Sequence, residues 1–93
     1  MTDPAREAGL RALESLDRAL SQQPVRDGHA FSAATESLCR MRDGLSSDED
    51  EASRGAVNAV ISAVLAGHFP LGKTPWPEVE AAATILRRLV EPS

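Results

Sequence analysis

The chain has 93 residues, a net charge of -4, and a composition that is 42% hydrophobic but only 3% aromatic. This length fits one domain, whose core must be aliphatic and rich in alanine. The acidity argues against a general nucleic-acid binder and against an anionic membrane surface as the target. Cys39 is the single cysteine, so an intramolecular disulfide is excluded.

The first helix is predicted over about residues 4–22. Asp3 is expected to cap it, with Pro4 at the first helical position. Leucines and alanines at helical spacing form its predicted apolar face, namely Leu10, Ala12, Leu13, Leu16, Ala19 and Leu20. Pro24 and the Arg-Asp-Gly sequence that follows indicate a turn.

The second helix is predicted over about residues 30–43. Its apolar positions alternate spacings of four and three, which is typical of the contact stripe in a bundle. These positions are Phe31, Ala34, Leu38, Met41 and Leu45. Asp43 and Gly44 are expected to end the helix, where Arg40 and Arg42 complement the negative end of its dipole.

The third helix is predicted over about residues 47–66 and contains the most continuous apolar segment of the chain. Ser46 or Ser47 is expected to cap it, and a block of acids follows where the positive end of the dipole favours them. Its apolar stripe consists of Ala56, Val57, Val60, Ile61, Val64 and Leu65. Gly67 is expected to end the helix in a left-handed conformation.

The fourth helix is predicted over about residues 75–90, with Thr74 as its cap and Pro75 at the first helical position. Its stripe consists of Val79, Ala82, Ala83, Leu86, Leu89 and Val90. Glu91 and Pro92 are expected to end it. The prediction is therefore an all-α fold, a single domain built as a small four-helix up-down bundle.

Soluble, cytoplasmic localisation is the default expectation for this sequence. No basic region followed by an apolar run opens it, and the longest apolar run is too short to cross a bilayer. No membrane and no nucleic-acid partner is predicted.

The acidic block has two interpretations; its members are Asp48, Glu49, Asp50 and Glu51. The favoured one is a solvated first helical turn that complements the helix dipole. The alternative is a contact surface for a basic partner protein. A calcium loop is not indicated, because oxygen ligands do not alternate around a glycine there.

Large apolar side chains collect between the third and fourth helices, namely Phe69, Leu71 and Trp76. They could fold back over the open end of the bundle, which is favoured because the core is so poor in aromatic residues. Alternatively, they could anchor a partner, since tryptophan is enriched at the energetic centres of interfaces.

The segment Gly67–Thr74, GHFPLGKT, fits the pattern G-x-x-x-x-G-K-[ST] and so resembles the P-loop of nucleotide-binding proteins. The resemblance implies a phosphate cradle of backbone N–H groups, a lysine on the outer phosphates and a hydroxyl on magnesium. The positions that match are Gly67, Gly72, Lys73 and Thr74.

Context argues against this nucleotide-binding alternative. Phe69 and Pro70 stand where the family prefers small residues with free N–H groups, and Pro75 and Pro77 follow where the family continues a helix. The chain also lacks a second apolar strand ending in aspartate. The favoured interpretation is a loop between two helices with an exposed lysine.

No catalytic, metal or cofactor site is predicted. His29, Cys39 and His68 are widely spaced and form no paired metal-ligand motif. The leading functional hypothesis is a small acidic, non-catalytic module that binds another protein, as an adaptor, inhibitor or immunity-like protein. Its size and acidity are similar to those of bacterial immunity proteins and small adaptors. The alternatives are the nucleotide-binding protein and a structural homodimer.

Overall fold

The computed structural model describes residues 1–91 as four α-helices joined by short connections. The helices are α1 Asp3–Ser21, α2 Gly28–Asp43, α3 Glu51–His68 and α4 Trp76–Val90, with a 3-10 turn at Asp48–Asp50 before α3. Each helix packs on the next, and α4 returns to pack on α1. The predicted all-α four-helix bundle is therefore confirmed, as a body measuring 37 × 20 × 20 Å. None of the described helices is long and apolar enough to cross a membrane.

Two helices begin earlier than predicted because the residue before each provides the cap. Thr2 caps α1 by accepting a hydrogen bond from the Ala5 N–H, with 3.4 Å between the heavy atoms, so the prediction of Asp3 as the cap was wrong. Asp27 caps α2 by accepting a bond of 3.1 Å from the Ala30 N–H. Gly28 starts α2 before the apolar stripe begins, which is why periodicity placed the start too late.

Helix α3 is shifted towards the C-terminus relative to its prediction. The acids at Asp48–Asp50 form a separate 3-10 turn, and the Ser47 hydroxyl donates to Asp50 Oδ2 at 3.0 Å instead of capping a backbone N–H. At the other end the helix runs through Gly67 to His68, and Gly67 has no positive φ. The prediction of a left-handed cap at Gly67 was therefore wrong.

Helix α4 begins at Trp76, one residue later than predicted. Pro75 is its N-cap residue and no side chain makes a capping hydrogen bond there, so the expectation of a Thr74 cap was wrong. Pro77 is tolerated in the first turn of α4 because the N–H groups of a first turn have no partner inside the helix. The predicted end at Glu91 and Pro92 is met by Glu91 as the C-cap, whereas Pro92 lies outside the described residues.

The core is aliphatic apart from one aromatic ring, and its largest fully buried side chains include Phe31, Leu16, Leu38, Met41 and Leu86. The predicted stripes supply most of these residues. Two stripe residues, Leu10 and Leu65, are instead exposed to 42% and 39%. In a ring of four helices each helix contacts two neighbours, so residues at the margin of a wide stripe remain in solvent.

The bundle has two dissimilar ends. One end carries the start of α1, the acidic turn and the last turn of α4, where Arg6 Nε donates to the Val90 carbonyl at 2.9 Å. The other end carries the α1–α2 connection and the α3–α4 loop, where Arg26 Nη1 donates to the His68 carbonyl at 2.6 Å. The sequence-predicted site residues are divided between these ends.

Candidate functional site

The α3–α4 loop, residues 69–75, is held against the bundle by its neighbours. The Arg26 guanidinium, from the α1–α2 connection, binds the His68 carbonyl at the C-terminus of α3. A cation is favourable at this position because the carbonyl end of a helix carries partial negative charge. The Trp76 N–H donates to the Thr74 carbonyl at 2.9 Å, which closes the loop onto α4.

Trp76 covers the open end of the bundle. Its side chain is half-buried, and its ring centroid lies 6.0 Å from that of the fully buried Phe31. The His68 ring meets the same phenylalanine edge-on, with 6.3 Å between centroids. The expectation that an aromatic residue of the loop region plugs the end thus holds for Trp76.

For Phe69 and Leu71 the prediction that they fold back over the open end was wrong, since both side chains lie in solvent. Phe69 is 69% exposed, and its ring stands perpendicular to the His68 ring at 4.1 Å between centroids. Leu71 is fully exposed, and Leu65, one turn before Phe69 on α3, is exposed and lines a groove together with Phe69. We call Leu65, Phe69 and Leu71 the loop-end surface.

Grooves flank Phe69 on both sides. One is lined by Ala66, Pro70, Leu71, Gly72, Lys73 and Pro75. The other is lined by Ser32, Thr35, Glu36, Leu65 and His68. An exposed aromatic ring between two shallow grooves is a shape that a second protein can enclose.

The acidic turn, residues 48–51, lies at the opposite end of the bundle. Asp48, Glu49 and Glu51 are exposed, whereas Asp50 is half-buried and accepts the hydrogen bond from Ser47. Arg54 stabilises the connection between α2 and α3, because its Nη1 donates to the Leu45 and Ser47 carbonyls at 2.6 and 2.7 Å. The structure therefore does not bring the acids together with the loop-end surface in one site.

The P-loop-like segment joins two helices. Gly67 belongs to α3, where an added Cβ would lie 2.8 Å from Phe31 Cε1 and 3.0 Å from Val79 Cγ2, so close packing explains this glycine. Gly72 and Lys73 are exposed and Thr74 is half-buried. Residues 1–91 contain no strand, so the strand–loop–helix order of a P-loop is not present in this part of the chain.

The two histidines and the single cysteine lie on α2 and at the end of α3. His29 is exposed in the first turn of α2, and Cys39 is half-buried on the same helix. Within the described residues, no three side chains of the metal-binding types are grouped so as to hold an ion. His68 Nδ1 is buried and lacks a hydrogen-bond partner.

The outward side of α3 is a feature that the apolar periodicity did not reveal. From Gly55 to Gly67 the helix has no charged residue, although part of it faces solvent. The exposed positions, which we call the α3 outer face, are Gly55, Asn58, Ala59, Ser62, Leu65 and Ala66. A solvated helix face ordinarily carries charged side chains, so their absence in the sequence could have indicated this face.

Fold and surface together define a small helical bundle with an uncharged outer face and an exposed apolar loop. Comparisons of the chain with family models, with curated proteins and with solved structures give no match.

Proposed function

We propose that this protein is a non-catalytic binding module that acts on another protein, as an adaptor or inhibitor, and contacts it through the loop-end surface. The exposure of Phe69 and Leu71 beside Leu65 is the observation that supports the proposal. Contiguous exposed apolar side chains on a small soluble domain mark interaction sites. Burying a side chain of this size stabilises a complex by about 1.5 to 3 kcal/mol.

The residues around the loop-end surface indicate which kind of partner surface would be complementary to it. The Trp76 and Phe31 rings pack together beneath the loop. Binding a partner would therefore cost little conformational entropy for ordering the loop. Lys73 is exposed in the same loop. The complementary surface is therefore an apolar pocket with an acidic rim, while the acidic turn at the far end suits a basic region of a large partner.

Capture experiments with matched variants test the proposal. Phe69→Ser with Leu71→Ser removes the loop-end surface, and Leu10→Ser with Ile85→Ser makes the same kind of change at exposed apolar positions of α1 and α4. Each form is used to capture proteins from the native host, and binding of a purified candidate is then measured by calorimetry. We expect the first double variant to lose binding and the second to retain it.

A third variant separates the contribution of the acids. Glu49→Gln with Glu51→Gln should slow association at low salt and leave the dissociation rate nearly unchanged, because exposed charges steer encounters. Equal affinity of the wild type and the Phe69→Ser, Leu71→Ser variant for the purified partner would contradict the proposed loop-end contact.

A further inference from the structure

The α3 outer face and the loop-end surface form one continuous surface, because Leu65 belongs to both. The face is uncharged along its length. It is preceded by Arg54, whose guanidinium donates to the Leu45 and Ser47 carbonyls, and by the acids of residues 48–51, and it is followed by Lys73 in the loop. Its small members lie nearer the acidic turn, and its large apolar members lie nearer the loop. Such a gradient of size and charge along one face is self-complementary when a second copy is reversed.

We propose that a second copy of this chain covers the α3 outer face, packed antiparallel about a twofold axis at Ser62. The proposal goes beyond the proposed function and shares the loop-end surface with it. Ser62 is exposed and lies near the middle of the uncharged stretch. An isologous pairing of this kind closes into a dimer and leaves no unpaired copy of the face.

The register that follows places large side chains opposite small ones. Gly55 and Phe69 are equally far from Ser62 in sequence, so Phe69 of one copy faces Gly55 of the other. An added Cβ at Gly55 would meet nothing within 4 Å, which leaves open space for a ring.

The next pair inward follows the same rule. Ala59 and Leu65 are equally far from Ser62, and both side chains are exposed, so each leucine lies over an alanine of the other copy. Small residues on one helix permit the close approach that a large side chain on the other fills.

Charges at the rim support the same orientation. Glu51 and Lys73 are both exposed, at the start of α3 and in the loop after its end, so the antiparallel arrangement brings the loop of each copy, with its lysine, towards the acidic turn of the other. A parallel pair would instead set the two acidic turns side by side, where like charges repel. Each attractive pair occurs twice in the dimer.

The size of the face sets the expected strength of association. Helix α3 has 18 residues and is therefore about 27 Å long. One helix face with a short loop lies at the small end of protein interfaces, which is the class of weak, reversible complexes. The net charge of -4 on each copy also opposes association. We therefore expect a dimer that dissociates on dilution.

Sedimentation velocity over a range of concentrations up to about 1 mM tests the association. Ala59→Glu places two like charges in the centre of the dimer and should raise the dissociation constant at least about tenfold. Ala81→Glu is the matched control, since Ala81 is exposed on α4 and the same change there should leave association unchanged. A wild type that remains monomeric throughout, or equal effects of both variants, would overturn the proposal.

Engineered disulfides test the orientation, in a background where Cys39→Ala removes the native thiol. Ser62→Cys lies next to its symmetry mate and should cross-link on oxidation. Gly55→Cys should not, because the two Gly55 positions are separated by about 20 Å along the antiparallel helices. A parallel pair would cross-link at both Gly55 and Ser62, so cross-linking at Gly55, or none at Ser62, would overturn the proposed arrangement.

The two proposals fail in different ways. A protein that stays monomeric, but whose loop-end variant loses its purified partner, removes the dimer and retains the proposed function. A dimer sensitive to Ala59→Glu, together with partner binding that is indifferent to Phe69 and Leu71, retains the dimer and removes the loop-end contact with another protein.

Discussion

Two glycines in one helix have opposite surroundings. A Cβ at Gly67 would lie 2.8 Å from Phe31 Cε1, whereas a Cβ at Gly55 would meet nothing within 4 Å. We expect Gly67→Ala to destabilise the fold by about 1 to 3 kcal/mol, because the core must shift to admit the methyl group. Gly55→Ala should stabilise it by about 0.5 to 1 kcal/mol, because alanine restricts the unfolded chain and favours helix.

Chemical denaturation at low protein concentration measures both changes in the free energy of unfolding. The two variants are controls for each other, since they make the same substitution in the same helix. Equal stabilisation by both would mean that Gly67 does not approach Phe31 closely. From the sequence, a glycine at the end of an apolar run is expected to end the helix. Only the packing of α2 against α3 shows that Gly67 leaves room for the Phe31 ring.

The large apolar side chains in and beside the α3–α4 loop differ in how much they contribute to the stability of the fold. Trp76→Ala should lower the free energy of unfolding by about 2 to 3 kcal/mol, because the half-buried indole covers Phe31. Phe69→Ser and Leu71→Ser should each change it by no more than about 0.5 kcal/mol, since both side chains lie in solvent. Thermal and urea unfolding compare the three variants, and a loss at Phe69 as large as that at Trp76 would show that Phe69 is part of the core.

The same loop is expected to bind no nucleotide. Gly67 is packed inside α3, and the described part of the chain offers no strand from which a phosphate cradle could project. ATP or GTP with magnesium should therefore cause no saturable rise in melting temperature, since any ligand of the native state stabilises it by mass action. A rise that Lys73→Ala abolishes would contradict this expectation.

Elements were predictable to the extent that apolar periodicity determines them. All four helices have a stripe at helical spacing, and the structure has a helix at each. The 3-10 turn at Asp48–Asp50 was not predicted because a run of acids suits either a helical first turn or a tighter one. The position of the loop was predictable, but the burial of its side chains was not. The sequence places Phe69, Leu71 and Trp76 close together, and only the contact with Phe31 of α2 shows that Trp76 is covered while the other two are exposed.

At the scale of the molecule, the arrangement of the ends is the main result. The acids of residues 48–51 and the loop-end surface occupy opposite ends of a body 37 Å long. Both were predicted as candidate contacts for a partner. Because the acids begin the predicted third helix and the loop follows its end, the sequence already places them a helix length apart. The uncharged outer face of α3 runs between them, and an antiparallel second copy is the arrangement that joins both ends in one interface.

A dilution series of amide nitrogen–proton correlation spectra tests the central claim that this face is an interaction surface. Between about 1 mM and about 10 μM protein, we expect concentration-dependent shifts at amides of the α3 outer face and of Phe69–Lys73. Amides beside Leu10 and Ile85 should remain unchanged. Spectra that do not depend on concentration, or shifts confined to α1 and α4, would contradict the account.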